Sequence, residues 1–332
     1  MTKLRLLLGA CGVVFLIWVI NLVGPSAIFH SLNKVGWSGF LVILLFYAAA
    51  QIPSCIGWRA LLGASANDVT LPGLYKAYVV GDALNHTVPS ADVAGEVTKV
   101  LMLSGSVPWR RTVGSLVIHR ALEVASSAFL LGLGLLVAWT RFELPVWWYA
   151  LGACIFLGLL GFASGLVRLQ RSRLYMRVVD RVAARIGEPK TLSEDSRLVE
   201  LEDAARTRLF WAASAVFASW AAGILEAYLC LFFLDLPARW DLAIAVEGLG
   251  LVVSNLAFFI PGRIGASEGG RLLLFSALHI STPDAMALAV LRRLREIVWI
   301  AAGFLVLAFY RRRSAASARL QRQGAFTVET ID

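Results

Sequence analysis

Long apolar runs separated by short polar segments make up most of this chain. Six of them reach about 20 residues, the length that a helix needs to cross roughly 30 Å of hydrocarbon. These runs cover residues 4–23, 37–56, 113–139, 146–167, 209–234 and 284–310. The pattern predicts an all-α polytopic membrane protein with six transmembrane helices.

Two further apolar stretches, about 75–103 and 242–279, are interrupted near their middle by NHTVPSADVAGE and NLAFFIPGRIGASEGG. We interpret each as a re-entrant helical hairpin, because glycine and proline end a helix inside the membrane. Ordinary pairs of spans and amphipathic surface helices are the alternatives. The residues assigned to the breaks are Asn85, Pro89, Gly95, Asn255, Pro261, Gly262 and Gly265. The glycines would allow sharp turns, and the asparagines would bond to freed backbone groups.

Charge placement favours the hairpins. The chain is 58% hydrophobic and only 16% charged, yet the insert 168–208 carries ten Lys and Arg, and Arg311 to Arg313 open the C-terminal tail. Basic segments near spans face the cytoplasm. Six spans and two hairpins that each return to their own side put both basic segments and both termini in the cytoplasm.

This topology predicts two inverted repeats. Residues 1–140 would contain two spans, a cytoplasmic-side hairpin and one span. Residues 141–313 would repeat that order upside down, with 168–208 as a cytoplasmic insert and 314–332 as a cytoplasmic tail. Such folds bind substrate near the midplane, between the repeats. A duplicated scaffold with a purely structural role is the alternative.

A motif of charged residues also occurs twice. Pro89 precedes Glu96 by seven residues, and Pro261 precedes Glu268 by seven. An Arg-x-x-Glu pair follows each copy, Arg120 with Glu123 and Arg293 with Glu296. Because ionised groups cost roughly 2.5–3.5 kcal/mol each at this depth, they are expected to face protein, water or a ligand.

We therefore predict a polar substrate path. Its candidate residues are Glu96, Lys99, Arg120, Glu123, Arg263, Glu268, Arg271, Arg292, Arg293 and Glu296. Arg292, Arg293 and Arg295 outnumber Glu296, and a surplus of guanidinium groups suits an anionic oxygen group such as a lipid phosphate. Two alternatives stay open: the i,i+3 pairs neutralise themselves to permit insertion, or the arginines extend to headgroups at the interface.

No catalytic or cofactor signature is recognised. The four histidines show no HExxH spacing, the acidic residues form no obvious metal cage, and no GxxxxGK[ST] motif is present. We expect no enzyme activity, no cofactor and no metal. The strong net positive charge needs no nucleic acid to explain it, because basic loops bind anionic lipid.

Several motifs together resemble a known family. They are WRALL at 58–62, N-x3-P-x5-GE-x2-K at 85–99, R-x2-E at 120–123, PGRIGASEGG at 261–270 and LRRLREIV at 291–298. The chain resembles the flippase-like integral membrane proteins related to the transmembrane domain of lysylphosphatidylglycerol synthases. Within that family it looks most similar to membrane proteins associated with hopanoid biosynthesis. Ser90-Ala91-Asp92 replaces a glycine-rich stretch that many members carry.

The resemblance implies a multi-pass protein of the bacterial inner membrane that moves a lipid, or a lipid-linked conjugate, between leaflets. Its partners would be membrane lipids with an anionic or isoprenoid headgroup. Two alternatives remain: an accessory scaffold that contacts lipid-synthesis enzymes, and a membrane enzyme in which Glu96 or Glu268 is a general base.

Overall fold

The computed structural model describes residues 25–87, 93–170, 172, 173, 175, 177, 203–257 and 266–328. Within these ranges all regular structure is helical. The α-helices are α1 (Pro25–Ala50), α2 (Ile52–Leu61), α3 (Leu71–Thr87), α4 (Val93–Leu103), α5 (Trp109–Arg141), α6 (Val146–Gln170), α7 (Asp203–Phe233), α8 (Trp240–Leu256), α9 (Ala266–Ala277) and α10 (Thr282–Val328). A short 3-10 helix, Gly63–Asp68, joins α2 to α3.

In the part of the chain that the structure describes, four segments are long and apolar enough to cross a membrane. They are Asn33–Leu61, Trp109–Arg141, Val146–Gln170 and Arg206–Phe233. These segments confirm the predicted spans at 37–56, 113–139, 146–167 and 209–234. The first of them runs from α1 into α2. The second helix begins at Ile52, directly after Gln51, and Pro53 lies in its first turn, where a missing N–H breaks no helical hydrogen bond.

The other two predicted spans have different outcomes. Residues 4–23 lie outside the described residues. The run 284–310 lies within α10, which continues as one helix to Val328 and therefore includes much of the predicted tail. Its apolar middle is bordered by charged residues on both sides, at 292–296 and at 311–313.

The two interrupted stretches contain short helices. α3 has 17 residues, α4 has 11, α8 has 17 and α9 has 12. At 1.5 Å per residue the longest of these reaches about 25 Å, short of the roughly 30 Å hydrocarbon core. The breaks at 88–92 and 258–265, with Pro89, Pro261, Gly262, Arg263 and Gly265, lie outside the described residues.

In each interrupted stretch the 17-residue helix packs against the short helix that follows it and against a long helix that is distant in the chain. α3 packs on α4 and α10, while α8 packs on α9 and α5. α2 packs along α7. The main apolar core lies between α5, α7, α8, α9 and α10, and includes Leu131, Leu231, Leu249, Leu274 and Leu288. This packing brings charged residues from separate parts of the chain together in the interior.

Candidate functional site

Ionisable side chains meet inside the helix bundle in three groups. We call the first the lysine cluster, which consists of Tyr78, Glu96, Lys99, His119, Arg120 and Glu123. The seam cluster consists of Asp82, His86, Arg293, Glu296 and Trp299. The arginine cluster consists of Tyr47, Glu226, Glu247, Arg292 and Arg295.

The lysine cluster is built on α4. Lys99 Nζ lies 2.8 Å from Glu96 Oε1 and 4.8 Å from the centroid of the Tyr78 ring. The i,i+3 pairing predicted from the sequence is confirmed. The Lys99 side chain is 4% exposed, whereas Glu96 is 24% exposed. Lys99 is therefore held by its surroundings, and Glu96 is the member of the pair that another molecule can reach.

Glu123 links this pair to α5. Its carboxylate accepts hydrogen bonds from the Tyr78 hydroxyl at 3.3 Å and from Arg120 Nη1 at 3.3 Å. The second contact confirms the predicted Arg-x-x-Glu pair. The Arg120 side chain is 34% exposed while Glu123 is 10% exposed. The carboxylate is thus a buried anchor, and the guanidinium extends outward from it.

His119 lies between Glu123 and α2. Its Nδ1 is 3.7 Å from Glu123 Oε1, and its Nε2 is 3.0 Å from Ser54 Oγ. This Ser-His-Glu row resembles a nucleophilic triad, but Nε2 is also 3.1 Å from the Ser54 carbonyl oxygen, which can only accept. Nε2 therefore carries a hydrogen and cannot take the Ser54 proton. Since Ser54 is buried, the row is a structural contact between α2 and α5.

The seam cluster joins α3 to α10. Trp299 Nε1 donates to Asp82 Oδ2 at 2.8 Å. His86 Nε2 lies 3.8 Å from Glu296 Oε1, and Arg293 Nη1 donates to Glu296 Oε2 at 3.0 Å. The Arg293–Glu296 pair is the second predicted Arg-x-x-Glu contact and is confirmed. Asp82, His86, Arg293 and Glu296 are each 16–24% exposed, so this cluster has access to the surroundings.

The arginine cluster corrects one interpretation of the sequence. Arg292 Nη2 lies 2.7 Å from Glu247 Oε2 on α8, and Arg295 forms an ion pair with Glu226 on α7. Arg295 also lies over the Tyr47 ring, with Cζ 3.9 Å from its centroid. The predicted surplus of arginine is wrong, because carboxylates from other helices balance Arg292 and Arg295.

The remaining predicted residues are less well defined. Arg271 is half-buried on α9 and interacts electrostatically with Glu296. Glu268 lies on α9, but its side chain is outside the described residues, as is Arg263. The structure therefore brings Glu96, Lys99, Arg120 and Glu123 into one cluster, and Arg293 with Glu296 into another.

One residue of the first predicted break behaves as expected and another does not. Asn85 Oδ1 accepts a hydrogen bond at 2.8 Å from the backbone N–H of Gly95, a donor freed at the start of α4. Gly95 itself lies inside α4, where a Cβ would collide with the Gly81 carbonyl on α3. Gly95 thus permits close packing and does not form the turn. Asn255 bonds within α8, from Nδ2 to the Leu251 carbonyl at 2.8 Å.

Sequence reasoning missed Glu226 and Trp299. Glu226 lies in an apolar span with no charge three or four residues away, so local spacing does not indicate its partner. A lone carboxylate in a span was the available signal, because such a group requires a buried cation or a neutral state. Among the described residues, no group of three or more His, Cys, Asp or Glu is arranged to hold a metal ion.

The chain is similar to known proteins over most of its length. Residues 4–303 match the lysylphosphatidylglycerol synthase TM region family. The chain is 23% identical to a UPF0104 membrane protein of Methanothermobacter thermautotrophicus, over 88% of this chain and 90% of that protein. It is 22% identical to a UPF0104 membrane protein of Pyrococcus horikoshii, over 92% and 96%. No solved structure matches.

Proposed function

Because the chain belongs to the lysylphosphatidylglycerol synthase TM region family, we propose that it moves an amphipathic lipid, or a lipid-linked conjugate, between the leaflets of the membrane. The headgroup would pass along the lysine and seam clusters while the acyl or isoprenoid chains stay in the bilayer. The observation that carries this proposal is a pair of equivalent contacts between two halves of the chain.

The two halves have corresponding helices. α3 and α8 each have 17 residues, and a shorter helix comes next in the described part of the chain in both halves. Arg120 and Arg293 are the twelfth residues of α5 and α10, and Glu123 and Glu296 are the fifteenth. Equivalent residues thus form the same ion pair in both helices.

The contacts between the two halves are also equivalent. In each case the 17-residue helix of one half contacts the long helix of the other half. Val79 and Gly248 are the ninth residues of α3 and α8, while Leu130 and Gly303 are the twenty-second of α5 and α10. A Cβ on Gly303 would lie 2.9 Å from the Val79 carbonyl oxygen. A Cβ on Gly248 would lie 2.6 Å from the Leu130 carbonyl oxygen. This reciprocity supports two repeats related by a pseudo-two-fold axis.

Contacts between helix ends support an inverted orientation. Gln170, at the end of α6, donates to the Gly114 carbonyl near the start of α5. Tyr310, in the distal part of α10, donates to the Met102 carbonyl at the end of α4. The end of α4, the start of α5, the end of α6 and the distal part of α10 therefore share one side. Arg311 and Arg312 are exposed there, and we propose that this side faces the cytoplasm.

The first hairpin would enter from this same side. Arg111, at the start of α5, bonds to Ser65 in the 3-10 helix just before α3. The start of α3 and the end of α4 are thus close to the start of α5. α7 has Ala212, near its start, against Gly57 of α2, and Phe233, at its end, against Gly39 of α1. Its end is therefore on the opposite side, and α8 begins seven residues later. Two hairpins that enter from opposite sides are typical of transporters that alternate access to a midplane site.

One feature suits an anionic headgroup. Arg120 is one-third exposed beyond its pair with Glu123, so it can approach a phosphate. An anionic phospholipid or an isoprenoid phosphate supplies such a group, and a hopanoid with a polar extension is a further candidate.

We propose transport without chemical change of the lipid, and location in a bacterial inner membrane. Of the two carboxylates that an enzyme would use as a base, Glu96 is engaged in an ion pair with Lys99, and the Glu268 side chain lies outside the described residues. Glu123 is likewise paired with Arg120. Such pairs suit a path that opens and closes by exchanging ionic partners, and they do not favour general-base chemistry at Glu96.

Leaflet exchange in liposomes tests the proposal. Purified protein would be reconstituted with fluorescent phosphatidylglycerol, phosphatidylcholine or an isoprenoid phosphate, and an impermeant reductant would report the outer-leaflet fraction over time. We expect faster exchange than in empty liposomes, with a loss of about tenfold or more in Glu96→Gln, equivalent to about 1.4 kcal/mol. Glu143→Gln, an exposed residue between α5 and α6, is the matched control.

Each result has a defined meaning. Absence of protein-dependent exchange for all three lipids would contradict transport of these lipid classes. Equal losses in Glu96→Gln and Glu143→Gln would show general damage and remove Glu96 from the path. A chemically altered lipid in the same liposomes would favour the enzyme alternative.

A further inference from the structure

His86 occupies a special position in the seam cluster. It lies on the last turn of α3, next to the break at 88–92, and reaches Glu296 on α10. α3 belongs to the first proposed repeat and α10 to the second. This contact therefore crosses the interface that would open during the proposed transport. Trp299 and Asp82 form another polar link between the same two helices.

The geometry assigns the hydrogen atoms of this imidazole. Nδ1 lies 2.9 Å from the Asp82 backbone carbonyl oxygen, which can only accept a hydrogen bond. Nδ1 therefore carries a hydrogen in both charge states. Nε2, which points toward Glu296 Oε1 at 3.8 Å, is left as the basic nitrogen. A proton taken from water at Nε2 turns a contact between a lone pair and a carboxylate into an ion pair.

Charged groups of α3, α4, α9 and α10 lie around this position. Asp82 lies on the same helix, with its Oδ1 3.6 Å from His86 Nδ1. α10 contributes Arg293 and Glu296, and Arg271 on α9 acts on Glu296. α4 contributes the Glu96–Lys99 pair. Among the described residues of this group, the carboxylates of Asp82, Glu96 and Glu296 balance Lys99, Arg271 and Arg293 when Nε2 has no proton. Protonation of Nε2 therefore changes the net charge of the group.

We propose that His86 is a proton-binding site that couples proton movement to lipid movement. Protonation of Nε2 strengthens the α3–α10 contact through Glu296 and closes the interface. Loss of the proton weakens it and lets α3 separate from α10. The imidazole suits this task because Nε2 can take up a proton while Nδ1 keeps its hydrogen bond to the Asp82 carbonyl oxygen. The coupling rests on the proposed lipid transport.

The test applies a pH gradient to the same liposomes. For the wild type we expect the direction of the gradient to change the net rate of lipid movement by roughly tenfold, a coupling of about 1.4 kcal/mol. A pH-sensitive dye in the lumen should record accompanying proton flux. His86→Gln should lose both responses, each measured against that variant's own exchange rate without a gradient. His279→Asn is the matched control, because His279 lies at an exposed turn with φ of +61°, which asparagine tolerates.

Four outcomes would overturn the coupling. An unchanged gradient response in His86→Gln would remove the role of His86. A wild type that exchanges lipid at the same rate with and without a gradient would refute coupling and leave lipid transport standing. No exchange at all would refute both. If His86→Gln does not fold, Glu296→Gln replaces it, and a preserved gradient response in that variant would refute the His86–Glu296 contact as the coupling element.

Discussion

The close crossing of α5 and α8 gives the most direct test of the interface between halves. The perturbation is Gly248→Ala on α8. A Cβ there would lie 2.6 Å from the Leu130 carbonyl oxygen and 2.7 Å from Gly134 Cα. Both are backbone atoms, so no side-chain rotation can relieve the contact. Gly250→Ala, two residues along the same helix, is the matched control, because a Cβ at Gly250 meets nothing within 4 Å.

The comparison separates packing from helix propensity. Replacing glycine by alanine inside a helix gains up to about 1 kcal/mol in either variant. Added volume in a tightly packed contact costs about 1–3 kcal/mol. The propensity gain is common to both variants and cancels in their difference. We therefore expect Gly248→Ala to be less stable than Gly250→Ala by about 1–3 kcal/mol, near the upper end because the opposing atoms are backbone.

The assay is unfolding of purified variants in detergent micelles, followed by helix content against denaturant concentration. A gain in stability for Gly250→Ala and a loss for Gly248→Ala would match the geometry. Equal stability of the two variants would refute the close α5–α8 approach. Unfolding of both together would point to a general intolerance of α8.

Two further predictions concern charges. Glu226→Gln should destabilise the fold by about 3–5 kcal/mol, because it leaves the Arg295 guanidinium buried without its carboxylate. Denaturant unfolding measures this change, and a loss of unfolding free energy below about 1 kcal/mol would contradict the pairing. Asp241 lies at the start of α8: partial burial raises its pKa, but bonds from Arg239 and the Leu242 N–H together hold that pKa below its usual value. A lowered pKa contributes stability above the unfolded value of about 3.9 and loses it as pH falls through the folded value. Stability measured between pH 5 and 3 should fall less steeply in Asp241→Asn than in the wild type, and identical profiles would oppose this assignment.

The spans and local ion pairs were predictable from the sequence. Length and hydropathy decide where a helix can cross a membrane, and this is why 113–139 lies inside α5 and 146–167 inside α6. The i,i+3 pairs Arg120–Glu123 and Arg293–Glu296 follow from helix geometry alone. These features depend on residues within one element.

The arginine cluster was not predictable, because its pairs depend on how separate helices pack. Glu226 and Arg295 are 69 residues apart in the chain, and Glu247 and Arg292 are 45 apart. Periodicity gives no information about contacts at that separation. The role predicted for Gly95 was wrong for a similar reason. Glycine at a break suggests a turn, but close approach to Gly81 depends on α3 packing on α4.

The ion pairs of α10 have a consequence for biogenesis. Each arginine or carboxylate inserted alone costs roughly 2.5–3.5 kcal/mol, and α10 carries four such groups between Arg292 and Glu296. The carboxylates that neutralise Arg292 and Arg295 lie on α8 and α7, which are synthesised earlier. We therefore expect α10 to be retained in the membrane through its ion pairs with α7 and α8. A nascent chain without α7 and α8 would lack the groups that allow its last span to stay in the bilayer.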